Sequence, residues 1–144
     1  MIVGIDPGLE GALAFLGDTV SVVDMPLRPH VRRERVDGRE ILNLLMEADP
    51  DLIVMESVHG RPGNGAAASF TFGMGFGILL GIIDSMGIPL VLVTPQKWKA
   101  DVLHGTAKDK KAAVAWALSA FPSLGKLRHD QAEALCLAFW GKMQ

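Results

Sequence analysis

Two short apolar runs, far apart in the chain, each end on an acid: Ile2-Val3-Gly4-Ile5-Asp6 and Leu52-Ile53-Val54-Met55-Glu56. Continuous apolar runs bounded by turn signals read as buried strands, the kind found in parallel sheets. As parallel neighbours, the two would deliver their carboxylates to one sheet edge, where open α/β proteins place ligand sites. A strand spacing of about 4.8 Å lets such a pair grip one cation.

The rest of the chain fits a mixed α/β layer protein. Gly11 to Leu16 and Thr19 to Met25 are two more strand-like runs, separated by Gly17-Asp18, a tight-turn signal. With the first run they predict a three-stranded antiparallel meander. Pro26 to Arg35 is basic with two prolines and reads as a surface loop. Asp37, with Glu40 three residues on, is the expected N-cap of a helix facing inward through Ile41, Leu44, Leu45 and Ala48. A Gly-rich loop, His59 to Gly65, leads into a long apolar helix over 66–86, which Gly87 stops. Leu90 to Val93 is a further buried strand, and helices follow over 95–103, 108–121 and 129–141. Residues 1–144 are expected to form a single domain.

Composition narrows the function classes. Hydrophobic residues at 49% and charged residues at 21% predict a folded chain rather than a disordered one. The single Cys136 excludes an intrachain disulfide and a thiolate metal site, which fits a cytoplasmic protein. No signal peptide is expected, because residue 6 is already an acid. The run from Ala66 to Ile83 has the length of a membrane span but is rich in Gly and broken by Ser69 and Thr71, so a buried or dimer-forming helix is expected. Gly73, Gly75, Gly77 and Gly81 would allow close helix approach, and a helix apolar on so many faces favours a dimer seam. A net charge of −2 excludes a uniformly basic surface, but Arg28, Arg32, Arg33, Arg35 and Arg39 cluster early and Lys97, Lys99, Lys108, Lys110 and Lys111 late. Glu34, Asp37 and Glu40 lie among the arginines, so local ion pairing and nucleic-acid contact both stay open there. Lysines at a helix start oppose its dipole, which favours an external anion beside Lys108, Lys110 and Lys111. Trp98, Trp116 and Trp140 are expected in the core or half-buried.

The third acidic element is His129-Asp130-Gln131-Ala132-Glu133. Asp130 and Glu133, three apart, share one face of a first helical turn. The remainder of that helix is nearly all apolar and must pack against the sheet, carrying both acids inward. Buried carboxylates require cations, either basic side chains or a metal. Oxygen donors without a Cys/His set favour Mg²⁺ or Mn²⁺ over zinc. Two such ions about 4 Å apart serve in-line phosphodiester displacement. Any one of the four acids could instead be a turn or cap residue; jointly they point to Asp6, Glu56, Asp130 and Glu133 as one metal-binding catalytic set. His129 could assist proton transfer, or cap or pack.

Ile-Val-Gly-Ile-Asp-Pro-Gly, Val-Met-Glu-Ser-Val and His-Asp-Gln-Ala-Glu-Ala-Leu-Cys-Leu-Ala resemble, in order and spacing, the motifs of RuvC-type Holliday junction resolvases. Val-Thr-Pro-Gln-Lys-Trp-Lys and Gly-Thr-Ala-Lys-Asp-Lys-Lys resemble their basic DNA-facing segments. The resemblance spans essentially the whole chain. It implies an RNase H-like fold, a mixed five-stranded sheet flanked by helices, and a homodimer formed through the 66–86 helix. It further implies paired nicks in four-way DNA junctions with two Mg²⁺ ions per site. The four acids would take the metal slots, and His59, Arg61, Lys97, Lys99, Lys108, Lys110 and Lys111 the DNA contacts. Two departures stand out: Glu133 lies where the family more usually has Asp, and His59 occupies the usual place of an aromatic wedge. A broader branched-DNA, flap or hybrid nuclease, or a non-catalytic junction binder on the same fold, are the alternatives.

Overall fold

Strand β1 (Ile2–Asp6) is the centre of the computed structural model, which describes residues 1–31, 33–58 and 65–144. β1 pairs antiparallel with β2 (Ala12–Leu16), and β2 with β3 (Val20–Asp24), forming the expected meander. On its other side β1 runs parallel to β6 (Leu52–Glu56), and β6 parallel to β7 (Leu90–Val93). The five-stranded order is β3-β2-β1-β6-β7. The parallel pairs are connected through helices, as parallel strands require: α1 (Gly38–Ala48) precedes β6, and α2 (Ala66–Met86) precedes β7. After β7 come α3 (Pro95–Val102), α4 (Lys110–Ala120), a 3₁₀ turn (Pro122–Leu124) and α5 (His129–Lys142).

Side-chain alternation along the strands divides the core in two. Val3, Ile5, Ile53 and Met55 face one way, against Ile41 and Leu45 of α1 and Leu79 and Ile83 of α2. Ile2, Leu52 and Val54 face the other way, against α5 and Trp98 of α3. By the same parity Asp6 and Glu56 open on the α5 face. Gly4 sits on that face too, where an added Cβ would overlap the Ala134 carbonyl oxygen and the Ala138 amide nitrogen of α5. The helix therefore rests directly on the backbone of β1. It is enclosed by the sheet below and by α3 and α4 above, which explains why Ala132 to Ala138 are all buried.

Three sequence expectations are corrected. Residues 26–35 are not a plain loop: Leu27–His30 (β4) and Arg33–Val36 (β5) form a separate antiparallel ribbon. Pro29 is tolerated because each strand of a two-stranded ribbon has an unpaired edge, and the Asp37 amide closes its base on the Pro26 carbonyl (2.8 Å). β7 is the edge of the sheet rather than a buried strand; Val91 and Leu92 are exposed and only Val93 is fully buried. α4 begins at Lys110, because Asp109 caps it by accepting from the Ala112 amide (2.8 Å), and Lys108 lies outside with φ 56°. Its inner face is Ala113 and Ala117 with Trp116 half-buried, whereas Ala115 and Ser119 are exposed.

Asp37 caps α1 as expected, accepting from the Arg39 and Glu40 amides. Trp98 and Trp140 are in the core. α2 is long and apolar enough to cross a membrane by length and composition, yet it buries only the stripe Gly75, Leu79 and Ile83. Phe76, Ile78, Leu80 and Ile82 are partly covered beside that stripe, and much of the rest of the helix faces outward.

Candidate active site

The register Ile5↔Met55 places Asp6 beside Glu56 at the carboxyl ends of β1 and β6. Above them begins α5, with Asp130 in its first turn and Glu133 one turn further in. Gln131 fixes this start, its side-chain carbonyl accepting from the Arg128 amide (2.8 Å). The four acids come from two strands and one helix, and they sense one another. Asp6 is pushed up to about 8, first by burial and then by the charges of Glu133, Glu56 and Asp130, with Lys99 pulling the other way.

Three of the four have neighbours that hold them. The Trp98 indole donates to Glu56 Oε2 (2.8 Å). Lys99 Nζ lies 2.8 Å from Glu133 Oε1. Arg128 and His129 contact the two oxygens of Asp130 at 3.3 and 2.8 Å. Among the described residues no three His, Cys, Asp or Glu side chains are already gathered closely enough to hold an ion. Asp6 has no hydrogen-bond or ion-pair partner among the described residues.

Neutralisation by these partners is incomplete. Arg128 is shared with Asp24, to which it is closer (2.6 Å), leaving Lys99 as the cation set within the acids. Behind burial, which raises the Asp6 carboxyl most, the charges of Glu133, Glu56 and Asp130 all raise it further against the single opposing pull of Lys99. Excess negative charge on hard oxygen donors suits a divalent ion of the Mg²⁺ type, so the residues fit the metal that the sequence implied. Cys136, buried on α5 with its thiol pushed up by desolvation, is inert in this respect.

The basic residues expected to meet DNA fall into separate settings. Lys99 lies inside the acid cluster and over the Trp98 ring (4.9 Å) rather than on an outer surface. Lys97 pairs with Asp101 (3.0 Å). Lys108 and Lys111 are exposed, and Lys110 Nζ lies 3.0 Å from His129 Nε2. Lys110, Lys111 and His129 share one surface hollow at the mouth of α5. His59, Arg61 and Arg32 lie outside the described residues. Sequence reasoning missed Trp98 as a holder of Glu56 and Arg128 as the link between Asp24 and Asp130. The signal for Trp98 was its place in an otherwise polar helix directly after a strand.

Lys99→Met should destabilise the metal-free protein by about 2–3 kcal/mol at pH 8, because Glu133 then lacks its cation. Mg²⁺ should recover most of that loss, which urea melts with and without the ion would measure. Equal destabilisation in both conditions would make Lys99 a plain structural partner.

Solved structures that share this architecture include resolvases. Thermus thermophilus RuvC in complex with a Holliday junction substrate superposes with a TM-score of 0.64 at 17% identity, covering 99% of this chain and 95% of that one. The Fowlpox virus resolvase, solved with Holliday junction DNA, gives 0.55 at 11% identity, covering 96% of each chain. The fold is that of the RuvC-type resolvases, within the RNase H-like class. In sequence the chain is 35% identical over 85 residues, 55% of its length, to the chloroplastic Holliday junction resolvase MOC1 of Chlamydomonas reinhardtii. It spans only about 10% of that algal protein. No family model matches the chain.

Proposed function

We propose that this chain is a divalent-metal-dependent endodeoxyribonuclease that resolves four-way DNA junctions by paired nicks, with Asp6, Glu56, Asp130 and Glu133 as the metal-holding residues. The observation that carries the reading is the convergence of these four acids at the carboxyl end of parallel strands β1 and β6, on a fold shared with resolvases. The named relative and the junction-bound neighbours support the substrate.

Asp6, Glu56, Asp130 and Glu133 would hold hard divalent ions, which would supply activation of the attacking water and charge neutralisation at the leaving 3′ oxygen. The chain's own residues set the geometry. Trp98 fixes the rotamer of Glu56, Gln131 anchors the helix start that carries Asp130 and Glu133, and Lys99 offers a positive charge to the phosphate entering between them. Lys110 and Lys111 position the flanking backbone without reading base sequence.

A homodimer belongs to the same proposal. On α2, Gly73, Gly77 and Gly81 recur every four residues, and a Cβ added at any of them would meet open space. Such a stripe permits close helix approach, and a two-fold pair would set two sites on a two-fold junction.

One observation favours a second reading, a non-catalytic junction binder: three of the four acids already have partners. A synthetic four-way junction, a flap, a linear duplex and an RNA–DNA hybrid, each incubated with Mg²⁺, Mn²⁺ or EDTA, separate the two. The expected result is symmetric nicking of the junction with either metal, none in EDTA, and intact linear duplex. A junction bound tightly but left whole with both metals would establish the binder instead.

A further inference from the structure

The β4–β5 ribbon has an arrangement that folding alone does not favour. Its register sets Arg28 directly opposite Arg35 and His30 directly opposite Arg33. Opposed residues share a face, and residues two apart on one strand share it too. Arg28, His30, Arg33 and Arg35 therefore occupy one face, while Leu27, Pro29, Glu34 and Val36 occupy the other. Like charges directly opposite each other destabilise a strand pair, and a two-stranded sheet is marginal to begin with. None of the three arginines forms an ion pair among the described residues, and Glu34, the ribbon's own acid, is on the wrong face to relieve them. The ribbon is held from its other side, where Val36 is buried against Gly75 of α2.

The ribbon also joins the acid site. Arg33 Nη1 reaches back to Thr71 Oγ1 on α2 (3.3 Å). There it lines a groove with Phe72 and with Gly8 and Leu9, the residues of the turn that follows Asp6. Arg33 thus sets one end of the basic face beside the turn that follows Asp6.

We propose that the β4–β5 ribbon is a second phosphate clamp, gripping the backbone of a duplex DNA arm through Arg28, His30, Arg33 and Arg35. This inference rests on the DNA-cleaving reading above and adds a contact surface remote from α4. Residues two apart on a strand lie roughly 6.6 Å apart, the scale on which successive phosphates follow one another along a DNA strand. A polyanion laid across this face supplies the countercharge that the chain itself withholds.

The test is the salt dependence of binding to a fluorescent four-way junction in Ca²⁺ buffer, compared between the parent and the combined Arg28→Gln, Arg33→Gln, Arg35→Gln variant. Removing two or three phosphate contacts should lower the slope of log K against log salt by about 2–3 and weaken binding more than tenfold at low salt. The DNA-free variant should melt at the parent's temperature or above it, since the opposed charges are gone. If the triple variant melts lower, the single Arg28→Gln variant decides, with an expected slope change of about 1. A parent that binds normally alongside variants of unchanged slope overturns the clamp and leaves the nuclease reading intact. A parent that binds neither junction nor duplex overturns both.

Discussion

Asp6→Asn should abolish junction nicking while making the metal-free protein more stable. The loss of activity should exceed about 100-fold, since even the outer partners of a metal site cost up to that much when removed. Junction binding should persist. The stability gain follows from linkage. In the folded protein the Asp6 carboxyl titrates at about 8, against 3.8 unfolded, so the folded state holds the proton more tightly. Its contribution is therefore favourable at low pH and is lost as pH rises from about 4 to about 8. Asparagine, which cannot ionise, escapes that penalty. The variant should match the parent near pH 4 and exceed it at pH 8 by up to about 5 kcal/mol. Urea melts in EDTA at the two pH values would show this, and Mg²⁺ should narrow the gap. Equal stability at pH 8 would mean that Asp6 is not strained by its neighbours.

Gly4→Ala should be among the most damaging single-methyl additions available in this chain. Its new Cβ would overlap backbone atoms of α5, which cannot rotate away as a side chain can. The helix must lift or β1 must bend, at a cost of about 3 kcal/mol or more. Because α5 carries Asp130 and Glu133, nicking should fall with stability rather than after it. Gly65→Ala, where the new methyl meets open space ahead of α2 at φ −59°, is the control and should change stability by no more than about 1 kcal/mol. A Gly4→Ala protein as stable as the parent would contradict the observed contact between α5 and β1.

Much of this architecture can be read from periodicity. The meander, β6 and the long α2 follow from apolar runs and turn residues, and the α1 cap from Asp37. Apolar composition cannot, however, distinguish a strand covered on both faces from one at an edge, so β7 was expected to be buried. Over 26–35 the alternation Leu27-Arg28-Pro29-His30 is only four residues long and contains a proline, and Arg33-Glu34-Arg35 is uniformly charged, so the local signal for a ribbon is weak. Within the site, the acids were legible because their partners in chemistry, an apolar strand or helix, are their neighbours in sequence. Lys99, Trp98 and Arg128 were not, because their contacts to Glu133, Glu56 and Asp24 depend on how α3 and α5 dock, which no short segment encodes.

The acids divide into two mechanically different halves. Asp6 and Glu56 stand side by side at the ends of two hydrogen-bonded neighbouring strands, so the spacing of their Cα atoms is fixed by the backbone. Asp130 and Glu133 ride on a rod whose seat is a layer of alanine, leucine and tryptophan side chains. Trimming or filling that seat would slide both helix-borne oxygens together against the two fixed ones. On the proposed reading, the aperture between the halves would set the size of ion accepted, and it could be retuned from the interior without altering any of the four acids.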